Sequence, residues 1–358
     1  MLNLLLLSAF FSVGMAAGTA PQKFTVAPIF SKKGTLMQLM GLGTPTQPIT
    51  LHLNPTTPDF FVVPTTCKTT NCLKNRGGFD TSKSSTFDDT NAGPFATTVG
   101  GAQSTGRLCK DALTALAIPG RAPPIIPLPL VESPNGELRE SVATGTMGWG
   151  FLPNGSPLPA TFLQGMLKNL DLPAWEVYYQ SYTHTKKDDV TVVGNVTYGN
   201  KDLKHCNEDH FFLKTDNPKA WELKMDYAKI GNVRLRGGRA LIYPGSPRIH
   251  APATVVAAIR KRVHAKYDSR LKEYVVDCKI RKKLPMLRFV IHKKVFAYFP
   301  REYLVQSEGT QKCLLMIAPP SKRYTGAQWI LGDPIMREHC IYFDFNGPRI
   351  GFTKHKGK

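Results

Sequence analysis

Short apolar, β-branched stretches alternate with turn-forming segments along most of the chain. The apolar stretches are four or five residues long, a usual length for strands. The predicted strands are Ile49–Leu53, Phe60–Val63, Val190–Val193, Ala240–Tyr243, Arg288–His292 and Cys340–Phe343. The segments predicted to turn between strands are Gly41–Pro48, Asn75–Gly78, Pro123–Pro129, Asn154–Pro159, Gly237–Gly238 and Asn346–Pro348.

Helical periodicity is found in two short segments, Thr161–Leu170 and Thr254–Tyr267. In the second, Val255, Ile259 and Val263 recur at the spacing of one helical face. The 30 glycines and 28 prolines favour many tight turns over long helices. The chain is therefore predicted to be mainly β with a few short helices.

The two halves of the chain repeat one local pattern, an apolar strand that ends in a short polar turn. Leu51–Leu53 leads into Asn54–Thr57 in the first half, and Ala240–Ile242 leads into Tyr243–Ser246 in the second. The repetition predicts two similar lobes, for which we expect residues 18–188 and 189–358. Each half also contains a later apolar run with glycines, Gly145–Gly150 and Trp329–Asp333.

Residues 1–17 form an apolar stretch that is followed by small residues. The stretch is too short for a membrane-spanning helix of about 20 residues and fits the hydrophobic region of a signal peptide. A buried N-terminal strand or helix is the alternative, since no Lys or Arg precedes the stretch. No other stretch approaches spanning length, so a secreted or secretory-pathway protein without a transmembrane segment is predicted.

Seven cysteines are spread along the chain without a repeated C-x-x-C motif or a cluster with histidine, which argues against a zinc site. Cys67 and Cys72 are spaced to close a small loop, and Cys278 and Cys313 bracket a longer one. Both pairs are natural disulfides in an oxidising compartment. Because seven is odd, at least one thiol is free or paired between chains.

Two Asn-x-Ser/Thr sequons, at Asn154 and Asn195, are candidate N-glycosylation sites in a secreted chain. Pro157 follows the first sequon and makes it the weaker of the two. No cofactor and no metal site are predicted.

The composition is that of a globular protein, with 42% hydrophobic residues, and excludes a disordered or fibrous chain. The net charge is nevertheless +20. Residues 234–294 hold seventeen Lys and Arg against three Asp and Glu, a net charge of +14. This stretch of the second lobe is either a solvated surface or a docking surface for an anionic glycan, a lipid head group or an acidic protein. No nucleic-acid-binding motif accompanies it, so no nucleic acid partner is expected.

Several motifs, in order along the chain, resemble those of the pepsin-like aspartic proteases. The resemblance covers roughly residues 24–354 and implies a bilobal fold of two pseudo-symmetric β lobes with a few short helices. It also supports the disulfides Cys67–Cys72 and Cys278–Cys313; we further expect Cys206–Cys340, with Cys109 unpaired. The similar segments are Met40–Gln47, Cys67 with Cys72, Phe79–Phe87, Trp221–Met225, Trp329–Pro334 with Asp344, and Arg349–Phe352.

The family's chemistry needs two aspartates, one in the turn of each lobe, that share a proton. Gapless matching places Asn54 at the first of these positions and Tyr243 at the second. An amide neither gives nor takes a proton at neutral or acidic pH, and a phenol ordinarily titrates near about 10. Thr56 stands where the family has a glycine, and Pro55 and Pro244 each remove a backbone N–H near the site. The expectation is that the dyad is lost.

The cleft that the resemblance implies is altered as well. Val99 falls where the family has a tyrosine in the flap, and Phe61 replaces that tyrosine's tryptophan partner. Thr57 and Ser246 complete the two turns as further candidate cleft residues. Asp59, five residues after Asn54, is expected to cap a turn rather than to replace the catalytic acid.

His52 and His250 flank the two turns and are interpreted as satisfied or exposed side chains, with ligand contact as the alternative. About twenty residues at most separate the predicted cleavage site from the strand at 37–43, fewer than the inhibitory pro-segment that the resemblance implies for active members.

Two functions follow from this reading. The favoured one is a secreted pseudoprotease that binds a peptide or protein in its interlobe cleft, or an anionic partner on its basic second lobe. The alternative is an aspartic-type endopeptidase with atypical or weak residual activity.

Overall fold

A computed structural model describes residues 24–32, 35–70, 72–74, 76–99, 102–114, 123–136, 138, 141–152, 162–168, 170–180, 191–320 and 328–357. The chain forms two compact units. Unit 1 is built mainly from Leu36–Glu176 and also includes Gly194–Lys201, whereas unit 2 is built mainly from Asp202–Lys358 and also includes Val177–Val193. The chain therefore passes from unit 1 to unit 2 after residue 176, and residues 194–201 belong to unit 1 again. The sequence predicted a single boundary at 188.

The described elements up to residue 198 are mostly strands. They are β1 (Thr25–Lys32), β2 (Thr35–Leu42), β3 (Gln47–Asn54), β4 (Phe61–Val62), β5 (Asp88–Val99), β6 (Ala102–Ala112), β7 (Ile125–Ser133), β8 (Gly145–Gly148), α1 (Phe162–Leu167), β9 (Ala174–Tyr179) and β10 (Thr191–Tyr198). The 3-10 helix Thr81–Lys83 lies between β4 and β5. Within unit 1 neighbouring strands follow the order β1-β2-β3-β8-β4-β7-β6-β5.

Unit 2 contains a seven-stranded sheet, a four-stranded sheet and a group of three paired strands. The elements are β11 (Phe211–Lys214), β12 (Glu222–Ile230), β13 (Val233–Ile242), β14 (Ile249–His250), α2 (Ala253–Arg262), β15 (Lys266–Asp268), β16 (Glu273–Asp277), the 3-10 helix Cys278–Lys283, β17 (Leu287–Ile291), β18 (Lys294–Tyr298), α3 (Pro300–Tyr303), β19 (Leu304–Gln306), β20 (Lys312–Leu315), β21 (Ile317–Ala318), β22 (Trp329–Leu331), α4 (Asp333–Met336), β23 (His339–Asp344) and β24 (Arg349–Lys354). The orders are β18-β17-β12-β13-β22-β14-β21, β15-β16-β20-β19 and β11-β24-β23.

Alternation of buried and exposed positions explains why these segments form sheets. In β12, Leu223, Met225, Ala228 and Ile230 are buried, with one irregularity where the strand is bulged against β17. Large aromatic side chains fill the space behind the strands, as Trp221 does against Phe343 and Phe345. The mainly β architecture predicted from the sequence is confirmed, and none of the helices in the described part of the chain has the length and apolarity of a membrane span.

The second predicted helix is shorter than the sequence indicated. Its apolar side chains Val255, Ile259 and Val263 are buried as expected. The helix ends at Arg262 because His264 adopts a left-handed backbone with φ of 56°. The next residues, Lys266–Asp268, pair with β16 instead of continuing the helix.

Two segments that were predicted to turn are strands, so these predictions were wrong. Pro127 and Pro129 lie in β7, opposite Lys110 and Leu108 of β6. Among the described residues β4 pairs with β7 only at Leu130, so the rest of that β7 edge tolerates proline, which has no N–H to donate.

The second wrong turn prediction concerns Gly237 and Gly238, which lie inside β13. A Cβ on Gly237 would come within 2.2 Å of the Met225 carbonyl oxygen. These glycines therefore serve close backbone approach between β12 and β13, not chain reversal.

Three disulfides join the pairs that the sequence suggested: Cys67–Cys72, Cys206–Cys340 and Cys278–Cys313. Cys109 has a buried free thiol on β6, and burial raises the pKa of that thiol.

Candidate functional site

The turn of unit 1 begins where β3 ends, at Asn54. The Asn54 side chain is 8% exposed. Its Oδ1 accepts two hydrogen bonds from Thr56, one from the backbone N–H at 2.9 Å and one from Oγ1 at 2.6 Å. The amide oxygen is therefore engaged in holding its own turn, as asparagine side chains commonly do.

The turn is fastened to the end of β8. The N–H of Trp149 donates to the Asn54 carbonyl at 2.8 Å, and the N–H of Gly150 donates to the Thr57 carbonyl at 2.8 Å. A Cβ on Gly148 would lie 2.5 Å from the carbonyl oxygen of Asp59, so this approach requires glycine. The same turn is tightened by Thr57 Oγ1, which accepts the N–H of Asp59 at 3.2 Å.

Two aromatic side chains, Trp175 and Tyr198, contact Trp149 and fix its position. Its indole ring packs on Trp175 with 5.4 Å between ring centroids, and its Nε1 donates to the Tyr198 hydroxyl at 3.3 Å. Tyr198 in turn donates to Gln38 Oε1 at 2.5 Å, and burial raises the pKa of this phenol. Sequence analysis did not find this support, because its members lie far apart along the chain.

The turn of unit 2 begins at Tyr243, which follows β13 and is 2% exposed. The N–H of Ser246 donates to the Tyr243 carbonyl at 3.0 Å and closes the turn. Tyr179 donates its hydroxyl to the Pro244 carbonyl at 2.6 Å. The Ser246 carbonyl accepts the N–H of Asp333 at 2.8 Å, and its Oγ donates to the Arg248 carbonyl at 2.9 Å.

The two turns occupy equivalent places in two matching strand frameworks. In unit 1, β3 runs parallel to β8, which is antiparallel to β4, which is parallel to β7. In unit 2, β13 runs parallel to β22, which is antiparallel to β14, which is parallel to β21. Thr57 and Ser246 correspond, since the carbonyl of each accepts an N–H from just beyond its partner strand. Asn54 and Tyr243, each three residues earlier, therefore correspond as well.

The hairpin of β5 and β6 reaches the first turn through its side chains. Thr97 Oγ1 donates to Asp59 Oδ2 at 2.7 Å. Phe95 lies against Phe61 with 6.5 Å between ring centroids. Val99 pairs with Ala102 at the end of the hairpin, and its side chain lies outside the described part of the structure.

Two other predicted site residues, Phe61 and His250, are held by contacts inside their own units. Phe61 is fully buried in a cluster with Val63, Val131 and Leu138, which places it behind the surface of the unit. His250 Nδ1 lies 3.1 Å from the Pro319 carbonyl, and burial lowers the pKa of its ring.

His52 lies in β3 opposite Met37 and has an interaction partner. Asp59, predicted to cap a turn, accepts the Thr97 hydroxyl and donates its own N–H to Thr57. Sequence analysis did not single out Thr97, because its contact with Asp59 spans 38 residues.

Of the two sequons, Asn154 lies outside the described residues. Asn195 is in β10 and 9% exposed, so the folded unit gives a glycan little access there. Glycosylation remains a prediction.

The chemistry available at the two turns is hydrogen bonding by an amide, hydroxyls and the carboxylate of Asp59. Within the described residues, no group of His, Cys, Asp and Glu at these turns is arranged to hold a metal ion. Tyr243 brings a bulky phenol to the position that corresponds to Asn54.

Comparisons with known proteins place these frameworks in a family. A family profile described as "Eukaryotic aspartyl protease" matches residues 37–355. Aspartic protease 17 of Caenorhabditis elegans is 28% identical over 327 residues, which cover 87% of this chain and 81% of the relative. Aspartic protease 1 of the same species is 27% identical, with coverage of 88% and 81%. Renin-2 of Mus musculus is 25% identical, with coverage of 88% and 78%. The chain therefore belongs to the eukaryotic aspartyl proteases, the pepsin-like family that its motifs resemble.

Proposed function

We propose that this member of the family is a secreted, catalytically inactive homologue that acts by binding. The observation that carries the proposal is the identity of the side chains that begin the two corresponding turns, Asn54 and Tyr243. Hydrolysis in this family needs one ionised and one protonated carboxyl group, which activate water and polarise the peptide carbonyl. An amide and a phenol cannot replace them, because at acidic pH the amide does not ionise and the phenol keeps its proton.

The hydrogen bonds of the first turn support the proposal. Thr56 donates both its N–H and its hydroxyl to Asn54 Oδ1, so the side chain at this position already serves a structural role. Pro55 and Pro244 carry no N–H, which removes two donors from the immediate neighbourhood of the turns. Asp59 is tied to Thr97 of the hairpin and follows the turn by two residues.

Secretion is proposed from the N-terminal apolar stretch together with the three disulfides, which form in oxidising compartments. The partner of the family's peptide-binding cleft is then a peptide or protein that is held without being cleaved. Unit 2 carries the excess positive charge, for which an anionic glycan, a lipid head group or an acidic protein is the complementary partner.

The test is cleavage of a denatured protein from about pH 2 to about pH 8, with and without an inhibitor that occupies the active site of aspartic proteases. The expected result is no inhibitor-sensitive cleavage, while an active family member cleaves in parallel. Inhibitor-sensitive turnover would instead establish an aspartic-type endopeptidase with atypical or weak activity, with Asp59 as the first residue to substitute.

The double variant Asn54→Asp/Tyr243→Asp extends the test. We expect it to stay without robust turnover, because Thr56, Pro55 and Pro244 still shape the turns. Folding of the variant is checked by circular dichroism. Strong turnover by a folded double variant would show that the two substitutions alone separate this chain from an active protease.

A further inference from the structure

The outer face of the seven-stranded sheet of unit 2 gathers positive charges from three strands into one row. Lys229 of β12 lies opposite Arg234 of β13 on one side and opposite Arg288 of β17 on the other. Directly opposed side chains in antiparallel strands have Cβ atoms about 4.5–5.5 Å apart. Three cations therefore stand side by side across the sheet, although only Arg234 and Lys229 are close in sequence.

A second row beside the first supplies another cation and an aromatic ring. Arg236 of β13 lies opposite Tyr227 of β12, and Tyr227 lies opposite Val290 of β17. The guanidinium of Arg234 stacks on the Tyr227 ring at 3.6 Å from its centroid. The alternate positions of the same strands, Ala228, Leu235 and Phe289 among them, are buried, so the charged side chains of both rows lie on the other face of the sheet.

Residues of both rows line a groove of about 510 Å³, and Arg234 borders it through its contact with the Tyr227 ring. Its walls include Tyr227, Lys229, Arg288, Val290 and Val295. Gly231 also lines the groove, and the guanidinium of Arg262 lies about 3.3 Å from the position of a Cβ on that glycine. A further cation therefore lies next to the groove.

Nothing in the described part of the chain neutralises these cations. Arg234, Arg236, Lys229 and Arg288 take part in none of the ion pairs found among the described residues. The acid next to Tyr227 along the strand, Asp226, accepts the N–H of Lys293 instead. Like charges directly opposite one another destabilise a sheet, so the arrangement costs stability that an anionic ligand would offset.

We propose that this groove binds a sulfated polysaccharide. Guanidinium groups form paired hydrogen bonds with the oxygens of oxyanions, and three of the four cations in the two rows are arginines. Neighbouring strands are about 4.8 Å apart, so the row of three spans about 10 Å and suits anions repeated along a polymer better than one small ion.

The chemistry of the groove also separates the sulfated polymer from other anionic partners. Val295, 63% exposed, is the apolar side chain that projects most from the groove wall, which is too little apolar surface to enter a bilayer. An acidic protein would require a more apolar centre at its interface. The inference rests on the secretion in the proposed function, but it does not depend on loss of peptide hydrolysis.

The test measures binding of the full chain to immobilised heparin in about 0.15 M NaCl. The triple variant Lys229→Gln/Arg234→Gln/Arg288→Gln is compared with the matched control Lys261→Gln/Lys279→Gln/Lys282→Gln. The control removes the same net charge from exposed positions of unit 2 outside the groove. We expect the groove variant to bind roughly tenfold or more weakly and the control to change less than about threefold, because local contacts with the polymer exceed the effect of distant charge.

Additional binding measurements test the class of ligand and whether arginine is needed for the contact. Binding should disappear with desulfated heparin, and Arg234→Lys/Arg288→Lys should weaken it although charge is kept. Equal losses in the groove and control variants would overturn the site. Tighter binding to phosphatidylserine vesicles, duplex DNA or polyglutamate than to heparin would overturn the ligand class. Peptide cleavage by a chain that still binds heparin through the groove would refute the proposed function alone.

Discussion

At the scale of single residues, Glu302 gives unit 2 a buried acid remote in sequence from both turns. Its side chain is 2% exposed, and its Oε1 accepts a hydrogen bond from Arg301 Nε at 2.5 Å. Burial, reinforced by the neighbouring carboxyl group of Glu338, raises the pKa of Glu302 from 4.5 to about 7 despite the opposing effect of Arg301. Glu338 itself accepts a hydrogen bond from Arg301 and lies near Lys354.

This pKa predicts how the stability of the protein varies with pH. Below about pH 4.5 Glu302 is protonated in both the folded and the unfolded chain, and its contribution is fully present. Between about pH 4.5 and about pH 7 the unfolded chain releases the proton first, so the free energy of unfolding falls as the pH rises. Glu302→Gln should remove that part of the decline, as measured by urea unfolding at several pH values. The exposed Glu308→Gln serves as the control, and the same pH slope in both variants would contradict the prediction.

At the scale of elements, the strand framework is built twice with different side chains. Each copy runs one strand parallel to a partner that lies far along the chain, β3 with β8 and β13 with β22. Glycines allow the connecting backbone to cross these partners closely. A Cβ on Gly148 would meet the backbone of Asp59, and a Cβ on Gly332 would come within 2.3 Å of the carbonyl oxygens of Ser246 and Arg248. The turns are thus positioned by backbone contact.

Gly148→Ala should lower the free energy of unfolding by about 1–3 kcal/mol, because the methyl group would lie 2.5 Å from the Asp59 carbonyl oxygen and force the turn outward. Gly93→Ala, in β5, is the matched control because nothing lies within 4 Å of its Cβ position. Urea unfolding of both variants measures the difference. If both variants had the same free energy of unfolding, the first turn would be able to move away from the added methyl group without loss of stability.

At the scale of the whole molecule, two compact units are each closed by strands and disulfides. Cys206–Cys340 joins residues 134 apart within unit 2, whereas Cys67–Cys72 joins residues 5 apart within unit 1. In the chain-entropy description, a cross-link stabilises by restricting the unfolded chain, and it does so more as the closed loop lengthens. The long bridge should therefore contribute more to stability than the short one.

Loop closure gives roughly 5 kcal/mol for the long bridge and roughly 2 kcal/mol for the short one. Cys206→Ala/Cys340→Ala should accordingly lower the free energy of unfolding by about 3 kcal/mol more than Cys67→Ala/Cys72→Ala does. Denaturant unfolding without reductant measures both. A larger loss from the short bridge would show that the native contacts of that loop, and not loop length, decide the ranking.

Features carried by contiguous residues could be predicted from the sequence. The strand and turn at Asn54, its counterpart at Tyr243, and the basic stretch 234–294 are each local, so composition and motif order were enough to find them. The mainly β class followed from short apolar stretches between turns. Helix length was overestimated at α2, because strand pairing of Lys266–Asp268 overrides the continuing helical pattern.

Features that depend on which strands meet were decided only by the tertiary structure. The local sequence around the prolines of β7 and the glycines of β13 predicts turns, but pairing with other strands keeps both segments extended. The contact of Thr97 with Asp59 and the row of Arg234, Lys229 and Arg288 also arise across strands. The physical reason is that strand register is set by burial of one face against distant partners, which leaves no signature in neighbouring residues. The sequence alone thus determined which side chains begin the two turns and where the charge lies, and folding determined what those side chains face.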